Sequence, residues 1–194
     1  MTPDAPADAV TERRVALPTP ADTAELGRGI GARLGPGDLV VLAGPLGAGK
    51  TCLAAGIGEG LGVEGPVTSP TFVIAREHPP LAAPLGGRGV ALVHVDAYRL
   101  GVGTGGDPDP RDVAAQLDDL DLDTDLTRAA VVVEWGEGVA EHLAATHLLV
   151  RLDRTGGRRP AESGDGALDV PETREARLHG PARLVGGGAR APGP

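Results

Sequence analysis

Eight consecutive residues, Gly44-Pro45-Leu46-Gly47-Ala48-Gly49-Lys50-Thr51, have the types and spacing to hold a phosphate chain. They fit the pattern G-x-x-x-x-G-K-[ST] at every position. The glycines permit backbone geometry that a side chain would block, so successive N–H groups can turn inward as an anion nest. A helix starting near Lys50 would aim its positive dipole end at the same point. The Lys50 ammonium would reach the β- and γ-phosphates, and the Thr51 hydroxyl would ligate Mg²⁺. Pro45 has no N–H and cannot donate to a phosphate. The plainer reading is a glycine-rich turn that happens to precede a lysine, in a chain with 31 glycines. Two facts argue against it. Lys50 is the only lysine among 18 basic residues, so a compact ammonium stands at the one place the loop needs it. The apolar run Leu39 to Ala43 precedes the loop, and Leu53, Ile57 and Leu61 follow at helical spacing.

Two acids stand at the ends of two further apolar runs. Val90 to Val95 reads as a strand that delivers His94 and Asp96, and Val131-Val132-Val133 ends in Glu134. Open parallel α/β sheets bind ligands outside the C-terminal ends of their strands. Either carboxylate alone reads equally well as a helix cap or an exposed strand end. Beside a phosphate-binding loop, Asp96 and Glu134 read as residues that hold Mg²⁺, directly or through water, or orient an attacking water. Of the chain's three aromatics, Tyr98 and Trp135 follow these two acids, and Phe72 follows the hydroxyl-rich Thr68-Ser69-Pro70-Thr71 segment, which reads as a loop close to the P-loop helix. Phe72 reads as core. Trp135 either fills the core or lies against the nucleotide. Tyr98 and Arg99 either bind or brace the loop.

These groups must be positioned by an α/β fold. The pattern predicts a three-layer P-loop NTPase fold, mainly a parallel sheet, with an antiparallel C-terminal hairpin. Arg13 to Leu17 reads as a short edge strand. Thr19-Pro20-Ala21-Asp22 reads as a helix start, with Thr19 at the N-cap, Pro20 at N1 and Asp22 completing a capping box. Leu26, Ile30 and Leu34 then share one face. Gly56, Gly58 and Gly60 in the next helix each cost up to ~1 kcal/mol relative to alanine, so packing must hold it, with close approach to the sheet as the expected means. Residues 76–89 read as a connection and 101–110 as a flexible loop. Val113, Leu117 and Leu120 suggest an amphipathic helix. The run Asp118, Asp119, Asp121, Asp123 and Asp125 reads as a solvated helix end or as an acidic docking face for a basic partner. His147 to Leu152 and Arg174 to Leu178 suggest the hairpin, joined by a long polar connection over 153–173. One domain over 13–180, with disordered tails at 1–12 and 181–194, is the expected organisation.

Composition narrows the function classes. The 194 residues suit about one domain, and 41% hydrophobic content is enough for a core. A net charge of −9 argues against a broad nucleic-acid surface of the chain's own. Cys52 is the single cysteine, so no intrachain disulfide can form, and a small buried packing residue is the expected role. The first residues lack the basic and apolar regions of a signal peptide, and no apolar run approaches membrane-spanning length. The expectation is a cytoplasmic protein without a membrane.

Four motifs in order carry a resemblance: Gly44 to Thr51, Ser69-Pro70-Thr71-Phe72, His94-x-Asp96-x-Tyr98-Arg99-Leu100, and Glu134-Trp135. Together they resemble the TsaE family, small bacterial ATPases of tRNA threonylcarbamoyladenosine biosynthesis, over about residues 14–180. The resemblance implies ATP and Mg²⁺ as cofactors, and slow hydrolysis in complex with TsaB- and TsaD-type partners. Through those partners alone it would meet tRNA. It implies Mg²⁺ association for Thr51 and Glu134, a role in activity for Asp96, and a switch-like Ser69, Pro70 and Thr71. Arg174 corresponds to a hairpin arginine that approaches the nucleotide. The chain departs from the family pattern at Pro45, usually acidic, at Cys52, commonly threonine, and in an enlarged 153–173 connection.

The leading expectation is therefore a Mg²⁺-dependent ATPase, with Gly44, Pro45, Leu46, Gly47, Ala48, Gly49, Lys50, Thr51, Trp135 and Arg174 on the nucleotide. Asp96 and Glu134 are the expected catalytic and metal-side acids. No obvious arginine finger is visible, which predicts slow intrinsic turnover accelerated by a partner. A small-molecule kinase of the same loop class is the alternative, though only the 101–111 loop could serve as its lid. A GTPase would need an Asn-Lys-x-Asp motif, which a chain with one lysine cannot have. A non-enzymatic module would dock a basic partner on its acidic surface.

Overall fold

The computed structural model describes residues 9–69, 74–101, 109–120, 122, 126–155 and 173–186. Pro70, Thr71 and Phe72, much of the acidic run and residues 156–172 of the long connection lie outside these. The fold begins with β1 (Val10–Leu17), α1 (Pro20–Gly31), β2 (Leu39–Ala43) and α2 (Lys50–Leu61). It continues through β3 (Ala75–His78), β4 (Ala91–Asp96), α3 (Pro110–Asp118) and β5 (Ala129–Glu134). It closes with β6 (His147–Thr155), β7 (Thr173–Pro181) and a helical turn at Ala182–Val185.

The seven strands form one sheet in the order β1-β7-β6-β2-β5-β4-β3. β6, β2, β5 and β4 pair parallel, and β7, β1 and β3 add antiparallel strands at the two sides. The sheet is thus more evenly mixed than expected. β2 and β5 are buried at every residue, as central parallel strands covered on both faces should be. Alternation sorts their side chains. Val40, Leu42 and Val132 join Ile30, Leu53 and Ile57 on the face covered by α1 and α2. Leu39, Val41, Val131 and Val133 join Val113 and Leu117 on the face covered by α3. Each fully buried aliphatic side chain contributes about 1.5–3 kcal/mol over an exposed one.

The start of α1 forms as its sequence dictates. Thr19 Oγ1 accepts from Asp22 N at 3.2 Å, and Thr19 N donates to Asp22 Oδ2 at 2.8 Å, closing the capping box. Two glycines of α2 have a different purpose from the expected one: Gly56 and Gly60 face α1, not the sheet, while a Cβ on Gly58 would meet the Val67 side chain. A Cβ on Gly56 would strike the Ala24 carbonyl, and one on Gly60 the Arg28 carbonyl. From the other side, a Cβ on Gly27 would strike Leu53 O, and one on Gly31 would strike Ile57 O. The two helices touch backbone to backbone, and that contact offsets the helix-propensity cost of glycine.

Three other expectations shift. The 76–89 connection begins as strand: β3 pairs antiparallel with β4, from Ala75↔Val95 to His78↔Leu92. Elements also run past both expected domain bounds. β1 starts at Val10, and the turn Ala182–Val185 buries Leu184 and Val185. Arg183 in that turn bonds both oxygens of the buried Asp38, tying the C-terminal segment to the start of β2. Cys52 is half-buried, with its thiol 3.4 Å from the Pro20 carbonyl of α1, so it is a contact between the two helices and not a core residue.

Candidate functional site

The glycine-rich loop joins β2 to α2 at the C-terminal end of the central strand. Gly44, Gly47 and Gly49 have φ of 129°, 75° and 106°, a region open to glycine and strained for other residues. Gly49 is the N-cap of α2 and brings no side-chain cap, so the first N–H groups of a twelve-residue helix face the loop unshielded.

Lys50 is 4% exposed. Its Nζ donates to Gly44 O at 2.7 Å and Pro45 O at 3.0 Å, and it lies 3.4 Å from the centroid of the Trp135 ring. Burial lowers the lysine pKa, the charges of Glu134 and Asp96 oppose that shift, and Arg154 adds to it. Trp135 is the one described non-glycine residue at positive φ, 62°. A bulky residue there is strained. Its backbone N–H donates to Leu42 O at 2.9 Å, holding the turn after β5 against β2. Tyr98 packs on Trp135 at 5.1 Å between centroids. The tryptophan thus sits at the loop, in contact with its lysine.

β4 and β5 run parallel in a register that opposes Asp96 to Glu134. Both acids are buried, at 7% and 2% exposure, on the α2 side of the sheet. Glu134 Oε2 accepts from the Thr51 hydroxyl at 3.0 Å. Its Oε1 lies 2.9 Å from His94 Nε2. Asp96 Oδ2 accepts from Ser69 Oγ at 2.9 Å, and its Oδ1 accepts from Tyr98 N at 3.2 Å. Ser69 of the Ser-Pro-Thr segment therefore touches the second acid.

Two arginines flank the other side of the loop. Arg154 and Arg174 are register partners across β6 and β7. Arg154 donates to Leu46 O, and a Cβ on Gly47 would meet its guanidinium. Arg174 passes Gly49, and its Nε is buried with no hydrogen-bond partner among the described residues. Sequence reasoning missed Arg154 and the contact of His94. Arg154 lies beyond any motif, and only the pairing of β6 with β2 reveals it. His94 was legible in part, because alternation puts it on the same face as Asp96.

The sheet, the loop between β2 and α2, and the acids at neighbouring strand ends define a P-loop NTPase-like α/β protein. The solved structure of Bacillus subtilis YdiB has the same fold, with a TM-score of 0.57 over 89% of this chain and 88% of that one at 22% identity. A family profile described as "Threonylcarbamoyl adenosine biosynthesis protein TsaE" matches residues 17–160. A Mycobacterium bovis protein named tRNA threonylcarbamoyladenosine biosynthesis protein TsaE is 55% identical over 138 residues, 71% of this chain and 77% of its own. Proteins of the same name from Streptomyces coelicolor and B. subtilis are 53% and 33% identical. They align over 69% and 71% of this chain, and over 80% and 75% of their own lengths. The chain belongs to the TsaE family. Among the described residues no helix is long and apolar enough to cross a membrane.

Proposed function

We propose that this chain is a Mg²⁺-dependent ATPase that works with TsaB- and TsaD-type proteins in threonylcarbamoylation of tRNA adenosine, in the cytoplasm. The pairing of Thr51 and Glu134 at 3.0 Å beside the glycine-rich loop carries the reading. A hydroxyl and a carboxylate are hard oxygen donors, and Mg²⁺ is commonly held by one or two such groups together with substrate phosphates. The fit extends to the loop, where uncapped N–H groups and a buried ammonium match a polyphosphate in charge and hydrogen bonding.

Thr51 and Glu134 would hold Mg²⁺, which would neutralise charge developing on the phosphates. Lys50 leaves its two carbonyls and the indole face for the β- and γ-phosphates. Asp96, held by Ser69 and the Tyr98 N–H, orients the attacking water. Arg174 brings an unpartnered buried nitrogen to the loop and takes an acceptor there. Turnover in isolation is slow, and the partners accelerate it. Contact with tRNA is made through the complex, in keeping with the net charge of −9. The earlier kinase alternative gains nothing from the described residues.

The test is reconstitution with TsaB- and TsaD-type proteins, tRNA, threonylcarbamoyl-adenylate and ATP. Wild type is expected to sustain many rounds of modification, and Lys50→Ala to fold but lose them. Normal modification by Lys50→Ala would exclude nucleotide chemistry as the function.

A further inference from the structure

We infer that His94 is a positioning residue, fixing the Glu134 carboxylate in the orientation that receives Mg²⁺; this rests on the ATP and Mg²⁺ reading above. His94 is 0% exposed, and its Nε2 lies 2.9 Å from Glu134 Oε1. A carboxylate only accepts, so Nε2 carries the hydrogen and donates. Nδ1 is buried and has no hydrogen-bond partner among the described residues. A core histidine held only for packing has no reason to aim its one bonded nitrogen at a buried acid. The polar purpose of this ring is directed wholly at Glu134.

The geometry explains why the acid needs it. The two oxygens of Glu134 are held from two elements, Oε2 by Thr51 on α2 and Oε1 by His94 on β4. That fixes the plane of the carboxylate. The Thr51 hydroxyl is also a metal donor in this reading; it would ligate through a lone pair and can keep its hydrogen on Oε2. One bond alone leaves the acid free to rotate about it, and His94 on the other oxygen stops that rotation and compensates the burial. The position follows from strand register. His94 lies opposite Val132, two residues before the Asp96↔Glu134 pair, and so reaches Glu134 along the diagonal. Outer partners of this kind orient a ligand oxygen without touching the metal.

Calorimetric titration of a non-hydrolysable ATP analogue at stepped Mg²⁺ concentrations tests this. His94→Leu removes the donor and is expected to raise the half-saturating Mg²⁺ about tenfold. His94→Gln can place an amide N–H where Nε2 was, and is expected to stay within about threefold of wild type. In a Glu134→Ala background, His94→Leu is expected to add nothing. Should His94→Leu fail to fold, His94→Asn, whose amide stops near the Nδ1 position, is expected to show the same tenfold rise. The inference is overturned by wild-type Mg²⁺ dependence in the Leu and Asn variants. It is equally overturned by a Gln variant as impaired as Leu, or by a Leu effect that persists without Glu134. Absence of nucleotide binding by the wild type would instead remove the ATP reading, and this inference with it.

Discussion

The two sides of the glycine-rich loop are built on opposite plans. On one side, parallel strands β4 and β5 deliver Asp96, His94 and Glu134 into buried positions with hydrogen-bond partners. On the other, antiparallel strands β6 and β7 deliver Arg154 and Arg174 from a hairpin, the first exposed and the second half-buried. Burying a polar group is costly unless it is bonded, so each acid holds a set geometry. Arg154 bonds the loop from an exposed position, and Arg174 keeps a buried Nε without a hydrogen-bond partner among the described residues, so neither guanidinium is enclosed as the acids are. The acid side is therefore preorganised, and the arginine side adaptable. A site so divided assigns chemistry to the first and capture to the second.

Glu134→Gln breaks that division most severely. It keeps the shape and removes the charge, and phosphate release at saturating ATP is expected to fall at least about 100-fold. A turnover near wild type would take the chemistry away from the acid side. Arg174→Ala should sharpen the contrast. Losing charge-assisted bonds worth about 1.5–3 kcal/mol raises the KM for ATP roughly tenfold or more, with kcat little changed. An equal fall in kcat would make the arginine side a participant in the reaction.

The smallest effect extends the burial rule to the sheet edge. His78 on β3 is buried, and burial pushes its imidazole below its ordinary value of 6.5. The Glu64 carbonyl opposes this, while His94 and Arg76 add to it. Between the lowered value and 6.5 the unfolded chain binds more protons than the folded one, so stability falls as pH falls through that window. His78→Leu removes this term, and urea unfolding at pH 7.5 and 5.5 should show a flatter acid limb by less than about 1.4 kcal/mol per pH unit. An unchanged slope would deny that His78 is held neutral.

What could be read in advance was local. The loop pattern, the Thr19–Asp22 cap and the apolar strands ending in acids are each contained within a few neighbouring residues. Their identity therefore fixes their form. What could not be read depends on which strands become neighbours. Arg154 reaches Leu46 only because β6 lies beside β2, and His94 meets Glu134 only through the β4–β5 register. Gly56 and Gly60 read as weak helix positions because their benefit lies in the partner helix, against whose Gly27 and Gly31 side they close, and no local period reveals that. Trp135 supports two readings from its sequence position alone, since a positive φ is invisible in a residue's identity.

That tryptophan has a further consequence. Trp135 is the chain's only indole, and the Lys50 ammonium stands over its ring. In optical terms the molecule has one dominant natural fluorophore, and it reports on the loop's own lysine. The field of a cation at 3.4 Å shifts the indole's energy levels, so emission follows the ammonium on and off the ring without any added label.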